Sequence, residues 1–564
     1  MKKTILFLFI NLFLLTQYAT ANPFAGAEYK LTHIGGNTYE IQFTFYRNCQ
    51  YVTSPPTAFL SFTNSLDYTS NFDVQITKDS TSGNEITPIC NSYSSICSGG
   101  SGSNIAVEKY TYTQQITIPP GIWTVKYYSC CRNPLTTITN GSNDGFTILF
   151  EFNNTTPIQN QTAYFSNPPF ILLTKNEDFT YNCGIIDPDN DSLYISFYTP
   201  YTAYGDSLDY NSPYTNTNFL SSSIPITIDH QTGEIHLKPN LNLSTVMGIK
   251  VEEWRKINNV MTKIATNYRE NEIQVYSNTN HYPKLSGFNF QDNHYSTNDT
   301  IYSSEIYANK KIEFNICGFD PDNSTSQDGI FNISWNHAID ADTFITYHNV
   351  TDSAYAHFEW TPELEDISTK KQYFTVSIGD SACPYNAKQI FTYALKVHPP
   401  QLNLGNDTMV CLYNSLVLDA DSGDYNYLWS TGDTTQSILL NQSNLIPGNQ
   451  NISVIRSGYG YIDYDTIQVH ASTCASTDIS SQNISFKVFP NPNKGVFSIE
   501  LKNNDIVDVN VSITNSEGKE VYSRKFQNHN GERFNIDISN LSKGIYIITL
   551  KSKEARLTKS IIIE

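Results

Sequence analysis

The stretch from Val488 to Glu564 reads VFPNPNKGVFSIEL…VSITNSEGKEVYSRKF…FNIDISNLSKGIYIITLKSKEARLTKSIIIE. Apolar and polar residues alternate in short runs, and clusters of Gly, Asn, Ser and Pro separate the runs. That is the pattern of half-buried strands joined by tight turns. The same grammar runs back through the chain, so the sequence predicts an all-β protein throughout. Tyr 38 and Phe 31 against Met 4 fit this reading, because aromatic rings pack well on pleated faces. At 564 residues the chain exceeds a single core and predicts about four or five domains of roughly 100–150 residues. Charged residues are only 16% of the total, which excludes a charge-rich helical cytosolic enzyme.

The first residues, MKKTILFLFINLFLLTQYATA, have a basic start at Lys2 and Lys3, an apolar run and the small-residue site Ala19-Thr20-Ala21. They predict a signal peptide over 1–21. Their apolar run is shorter than the ~20 residues of a membrane span. Formal net charge is −19, yet from Ser485 onward 12 basic residues face 9 acidic ones, which leaves −24 for the body once the leader lysines are set aside. An acidic body argues against nucleic acid, and against anionic surfaces without bridging cations.

Ten cysteines and no CxxC pair predict disulfides in an exported chain. Position pairs Cys317 with Cys383 and Cys411 with Cys474, each inside one expected domain. Cys90 with Cys97 would staple the glycine-rich loop near Gly99. Cys183 would then reach Cys130 or Cys131, and Cys49 the other of the two.

YKLTHIGGNTYEIQFTFYRNC reads as a hairpin turning at Gly35-Gly36-Asn37, and ITIPPGIWTVKYYSCCRN as a second one turning at Pro119-Pro120-Gly121. These phrases resemble an N-terminal module of long Bacteroidetes surface proteins, here over 22–165. An internal repeat follows: Asn182-Cys183-Gly184-Ile185-Ile186-Asp187-Pro188-Asp189-Asn190 recurs as Ile316-Cys317-Gly318-Phe319-Asp320-Pro321-Asp322-Asn323. Each copy precedes a second shared phrase, Gly233-Glu234-Ile235-His236-Leu237-Lys238-Pro239 and then His357-Phe358-Glu359-Trp360-Thr361-Pro362. Self-similarity of this kind marks an array. It resembles the cadherin-like and Ig-like repeats of bacterial adhesins and predicts sandwiches at 166–280 and 281–399. The phrase YLWSTGDTTQSI resembles an Ig-like or PKD-like module, expected at 400–475 with Trp429 on its core. A polar linker at 476–485 leads to the last domain, 486–564.

Asp187, Asp189 and Asp191 place carboxylates at alternate positions, and Asp320 and Asp322 repeat this. Such spacing suits a hard cation, making calcium the candidate cofactor. It equally suits a tight turn capped by Asp and Asn side chains. Gly205-Asp206-Ser207-Leu208 matches the nucleophile block of GDSL-type lipases, but no downstream Asp-x-x-His supplies a base. The tyrosines Tyr198, Tyr201, Tyr204 and Tyr210 could stack on sugars or pack in a sandwich. Histidines are scattered, without metal spacing.

The closing stretch resembles the type A C-terminal sorting domain of the Bacteroidetes type IX secretion system. Three blocks carry the likeness: Pro490-Asn491-Pro492 with Gly495; Asn515-Ser516-Glu517-Gly518-Lys519; and Leu541-Ser542-Lys543-Gly544-Ile545-Tyr546, with Lys559 before IIIE. The resemblance implies export by that machinery to the outer-membrane surface or beyond, with the tail removed on the way. Together these readings imply tandem Ig-like/cadherin-like β-sandwiches in a non-enzymatic, adhesin-like or structural surface protein. The expected partners are the secretion machinery, surface glycans, lipopolysaccharide or other surface proteins. The alternative is a secreted carbohydrate-binding protein or hydrolase.

Overall fold

The computed structural model describes residues 24–564 apart from 51–52, 91, 101–105, 131, 140–143, 156–159, 289–300, 323–331, 349–352, 474–484, 503–506, 516–517, 530–532 and 553–555. The expected signal peptide, Cys131, Cys474, Asn323 and most of the expected linker lie outside the described residues. These hold strands, turns and two short 3-10 turns, with no α-helix among them. Among the described residues no helix is long and apolar enough to cross a membrane. The chain divides into two compact units: Met1–Asn403 with Ala420–Gln436 and Val454–Asp465, and Leu404–Asp419 with Ser437–Ser453 and Thr466–Glu564.

In the first unit a twelve-stranded sheet is organised around the strand Val260–Tyr276. Asn258 and Asn259, both with positive φ, turn the chain back from the strand Ser244–Ile257, with which it makes the longest ladder. Asparagine tolerates this left-handed backbone because its short side chain can bond locally. Val260–Tyr276 also pairs with Phe24–Gly35 and with Phe146–Asn153. The expected boundary between 165 and 166 therefore runs through one continuous sheet. From Ile264 to Asn271 every residue is buried, so both faces of the strand are covered and the polar/apolar alternation that marks a strand is lost there.

Gly35-Gly36 forms the expected turn, and Phe24–Gly35 pairs with Thr38–Asn48 along its length. The expected hairpin at Pro119-Pro120-Gly121 is not one. Val107–Thr117 pairs with Thr38–Asn48, whereas Ile122–Ser129 pairs with Thr57–Asn64 and Phe146–Asn153. The Pro-Pro-Gly segment is a crossover held by Asn154, whose side chain accepts from the Gly121 N–H at 2.7 Å and whose own N–H donates to the Gly121 carbonyl at 3.0 Å.

The internal repeat has a structural basis. Phe179–Asn182, which ends just before Cys183, pairs with Glu234–Leu237, and Ile312–Phe319, which contains Cys317, pairs with Ser353–Trp360, so the first phrase of each copy meets the second phrase of the same copy. The later copy is a sandwich of two four-stranded sheets around Phe358, Trp360, Phe374, Val376 and Tyr393. Between Asn426 and Ser457 the strand Asn426–Trp429 pairs with the end of Gly448–Gly458. Trp429 is buried there and donates its indole N–H to the Thr435 carbonyl at 2.7 Å.

In the second unit, Leu416–Asp419 pairs with Ser437–Leu440. From Ser485 onward a three-stranded and a four-stranded sheet enclose Ile499, Val511, Ile513, Ile536, Ile548 and Ile561. This core draws only on residues of that stretch.

Candidate functional site

The first aspartate loop is a capped turn. The Asp187 carboxylate accepts from the backbone N–H of Asp189 at 2.9 Å and of Asp191 at 3.1 Å, and Asn190 takes a positive φ of 58°. Asp189 and Asp191 face Arg255, which stands near the end of Ser244–Ile257. Its Nε donates to Asp191 at 2.6 Å, and one terminal nitrogen reaches Asp191 at 2.6 Å, Asp189 at 2.8 Å and the Asn160 amide oxygen at 2.7 Å. Planar, bidentate guanidinium contacts of this kind are the strong ones. Deeper in, the fully buried Glu253 accepts from the Asn160 amide at 3.0 Å and the Ala163 N–H at 2.9 Å. Oxygens of Asp187, Asp191 and Glu253 lie within 4.8 Å of one another.

The second loop repeats the turn and changes the counter-charge. Asp320 accepts from the Asp322 N–H at 2.9 Å. Asp322 accepts the His281 backbone N–H at 2.5 Å, and its other oxygen lies 2.6 Å from His281 Nδ1. That contact raises the His281 pKa. Each aspartate loop thus meets a basic side chain of its own chain. Nothing in the DPDN phrases announces Arg255 or His281, which lie far from them in sequence or in a separate segment.

Burial pushes Glu253 up to about 8 and Asp187 up to about 6. A carboxyl raised in the folded state holds its proton there while the unfolded chain has released it. Stability therefore falls as pH climbs from the ordinary carboxylate range, about 4.3, to the folded values. Buried Glu272, also pushed up to about 8 by burial, acts in the same sense. The melting temperature of the full chain is expected to fall between about pH 5 and pH 8.5, and Glu253→Gln to flatten part of that slope. A wild-type melting temperature that rises across the window contradicts this assignment.

The cysteines pair differently from expectation. Cys49 is joined to Cys97, and Cys90 to Cys383, so neither Cys90–Cys97 nor Cys317–Cys383 forms. The Cys49 N–H donates to the Ala106 carbonyl at 2.8 Å, which sets it at the end of the sheet beside the loop carrying Cys97. Cys90 N–H donates to Pro384 and Asn386 N–H to Pro88, laying one loop along the other. A pairing 293 residues apart crosses two expected domain boundaries, which positional reasoning cannot anticipate. Cys183 and Cys317 are free thiols, so Cys183 bridges to neither Cys130 nor Cys131. Cys183 is a small packing residue of the core, where burial pushes its thiol up to about 11, while Cys317 at the matching repeat position is half-buried. Cys411 is disulfide-bonded, and its expected partner Cys474 lies outside the described residues.

The tyrosine group mostly packs inward. Tyr198 is buried and the Tyr210 hydroxyl donates to the Val246 carbonyl at 3.0 Å, while Tyr204 stands exposed. Ser207 lies in a loop bridged to Tyr201. The phrase CCRN proves to be an anchor. Arg132 is buried against Glu270, donates to the carbonyls of Gly145 and Tyr201, and lies near the rings of Phe24 and Phe146. Asn133 donates to the Phe24 carbonyl at 2.8 Å and to Glu272 at 2.6 Å. A second buried pair joins Arg269 to Glu28. The one signal for these pairs in the sequence is NYRENEIQVY, three charges inside an apolar strand phrase.

The tail blocks also have definite work. Asn491, between its two prolines, clamps the last strand: its side-chain oxygen accepts the Ile562 N–H at 2.8 Å and its amide donates to the Ser560 carbonyl at 3.1 Å. Gly495 has a φ of 87°, and a Cβ there would lie 2.5 Å from the Ser539 Cα, so only glycine fits. Gly518, also at positive φ, sits in the turn after Asn515. Leu541 packs on the core, Tyr546 donates its hydroxyl to the Ser542 carbonyl at 2.7 Å just before Gly544, and the Lys559 ammonium lies over the Phe486 ring.

Residues 487–564 match the family described as the secretion system C-terminal sorting domain. No curated protein matches the chain. Solved structures similar to it include titin domains I67–I69 in an E-to-A mutated variant, at 10% identity and a TM-score of 0.18, covering 55% of this chain and 98% of that one. Others are Sidekick-1 immunoglobulin domains 1–5, at 9% identity and 0.15, covering 96% and 98%, and zebrafish RET cadherin-like domains 1 to 4, at 10% and 0.20, covering 71% and 95%. The fold described above rests on the strand pairing itself. The chain is an all-β substrate of the type IX secretion system, and its tail directs secretion and export to the cell surface.

Proposed function

We propose that this exported protein is a non-enzymatic, adhesin-like or structural component of the cell surface. The sorting tail supports this reading, together with a body whose buried charged side chains are used in packing. Arg132, Arg269, Glu270 and Glu28 pair with one another in the interior. The acidic body would touch surface glycans or other surface proteins through loop tips such as that bearing Tyr204. On this reading the leader is cleaved, the tail is removed on export, and the body stays on lipopolysaccharide or is released.

Calcium belongs to the same proposal. Of the five aspartates expected to bind it (Asp187, Asp189, Asp191, Asp320 and Asp322), Asp187 and Asp191 would be its ligands together with Glu253, which lies within reach of both, in competition with the counter-charge that Arg255 already supplies. The test applies the full chain to glycan and surface-protein arrays, with calcium and with chelator. The expected result is binding without release of reducing sugar. Sugar release that vanishes when one carboxylate is replaced overturns the non-enzymatic reading. Identical melting temperatures with calcium and with chelator overturn the calcium reading.

A further inference from the structure

A separate group of side chains lies on the outer face of the sheet containing Ile312–Phe319 and Ser353–Trp360. Cross-strand pairing sets Glu313 opposite Glu359 and Asn315 opposite His357. Residues two apart on a strand share a face, so the four side chains form one patch. One ligand atom from each of Glu313, His357 and Glu359 lies within 4.8 Å of the others.

The histidine carries the inference. Its Nδ1 lies 2.5 Å from the Asn315 side-chain oxygen, and its Nε2 lies 3.1 Å from a Glu359 carboxylate oxygen. An imidazolium donates to both, whereas a neutral imidazole has one N–H and serves only one of them as donor. With that proton on Nδ1, the Nε2 lone pair faces a carboxylate oxygen, and a cation held between them relieves the opposition. Asn315 then occupies the place of the outer group that fixes the tautomer of a metal-bound histidine. Lys311 Nζ, 2.9 Å from Glu359 and 3.7 Å from Glu313, lends positive charge to the patch. Its side chain is half exposed, so it can swing into solvent when a stronger cation arrives.

We propose that Glu313, His357 and Glu359 form a zinc site on this face. One imidazole and two carboxylates are a donor set that suits this ion, and two paired strands hold the donors without a loop having to order. Three protein ligands leave a tetrahedral ion one further position. Glu313 is exposed, so that position opens to solvent, where water or a donor from a contacted surface can take it. The site stands independently of the adhesin reading.

The test titrates Zn²⁺ alone into the full chain by calorimetry, beside His357→Ala and Glu313→Gln. Wild type is expected to show saturable binding that weakens by about tenfold or more in each variant. Co²⁺ should give a visible d–d band with wild type that His357→Ala loses. Both variants should melt at the wild-type temperature without metal, since neither residue is in the core. Glu313→Gln keeps the test decisive if His357→Ala fails to fold. A protonated His357, or the opposite orientation of the Asn315 amide, would satisfy all three groups without an ion. Absence of saturable binding, or wild-type isotherms from both variants, therefore overturns the proposal.

Discussion

Arg132→Met is expected to destabilise the first unit by about 3–5 kcal/mol, the usual loss when one partner of a buried ion pair is removed. Both side chains of the Arg132–Glu270 pair are fully buried. The substitution leaves Glu270 without its cation and strands the carbonyls of Gly145 and Tyr201, which Arg132 also serves. Burial already raises the Glu270 pKa against the pull of Arg132, so in the variant the carboxyl folds only by taking up a proton. Urea denaturation should show a lower midpoint, more so at higher pH. Arg132→Met with Glu270→Leu should recover part of the loss, because the lone charge is gone. The two orphaned carbonyls, at about 1–3 kcal/mol each, keep the recovery incomplete. A single variant as stable as wild type would remove Arg132 from its role as the anchor.

Truncation after Asn483 is expected to abolish surface delivery and leave the body behind the outer membrane. The sorting stretch has a core of its own, so its removal takes no residue from the cores of the first unit. Loss of export would then reflect loss of the tail and not collapse of the cargo. Gly495→Val gives the finer arm. The residue sits at a φ of 87°, and a Cβ there would run into the Ser539 backbone, so a branched side chain must displace the turn that Asn491 and Asn493 tie to the last strand. It should reduce delivery toward the truncated level in cell fractionation. Surface delivery of the truncated chain would overturn the role of the tail.

The tail was readable from sequence because each of its devices is local. Prolines, a glycine that must take a positive φ and a strand alternating on one covered face all appear within a few residues of where they act. The hairpin at Gly35-Gly36 was readable for the same reason, and so were the paired phrases of the repeat. The centre of the first sheet was not. Val260–Tyr276 is covered on both faces over much of its length, so it lacks alternation, and the charges inside it look like solvent exposure until Arg132 and Glu28 are placed beside them. The aspartate loops were half readable. Their turn geometry follows from Asp, Pro and Asn, while the basic residues that neutralise them arrive from elsewhere in the fold.

The Cys90–Cys383 bond also changes how the protein bears tension. A pull applied between the two ends of the stretch Phe24–Asn403 follows the shortest covalent route, and two disulfides shorten it: Cys49 to Cys97 and Cys90 to Cys383. Residues 98–382 lie off that route. The long hairpin, both aspartate loops and the Glu313–His357–Glu359 face therefore carry load through their strand pairing, as between Val260–Tyr276 and Phe24–Gly35, and not along their own backbone. Whatever those surfaces hold, they hold on a part of the chain whose backbone such a pull cannot draw out to full length until a disulfide is reduced.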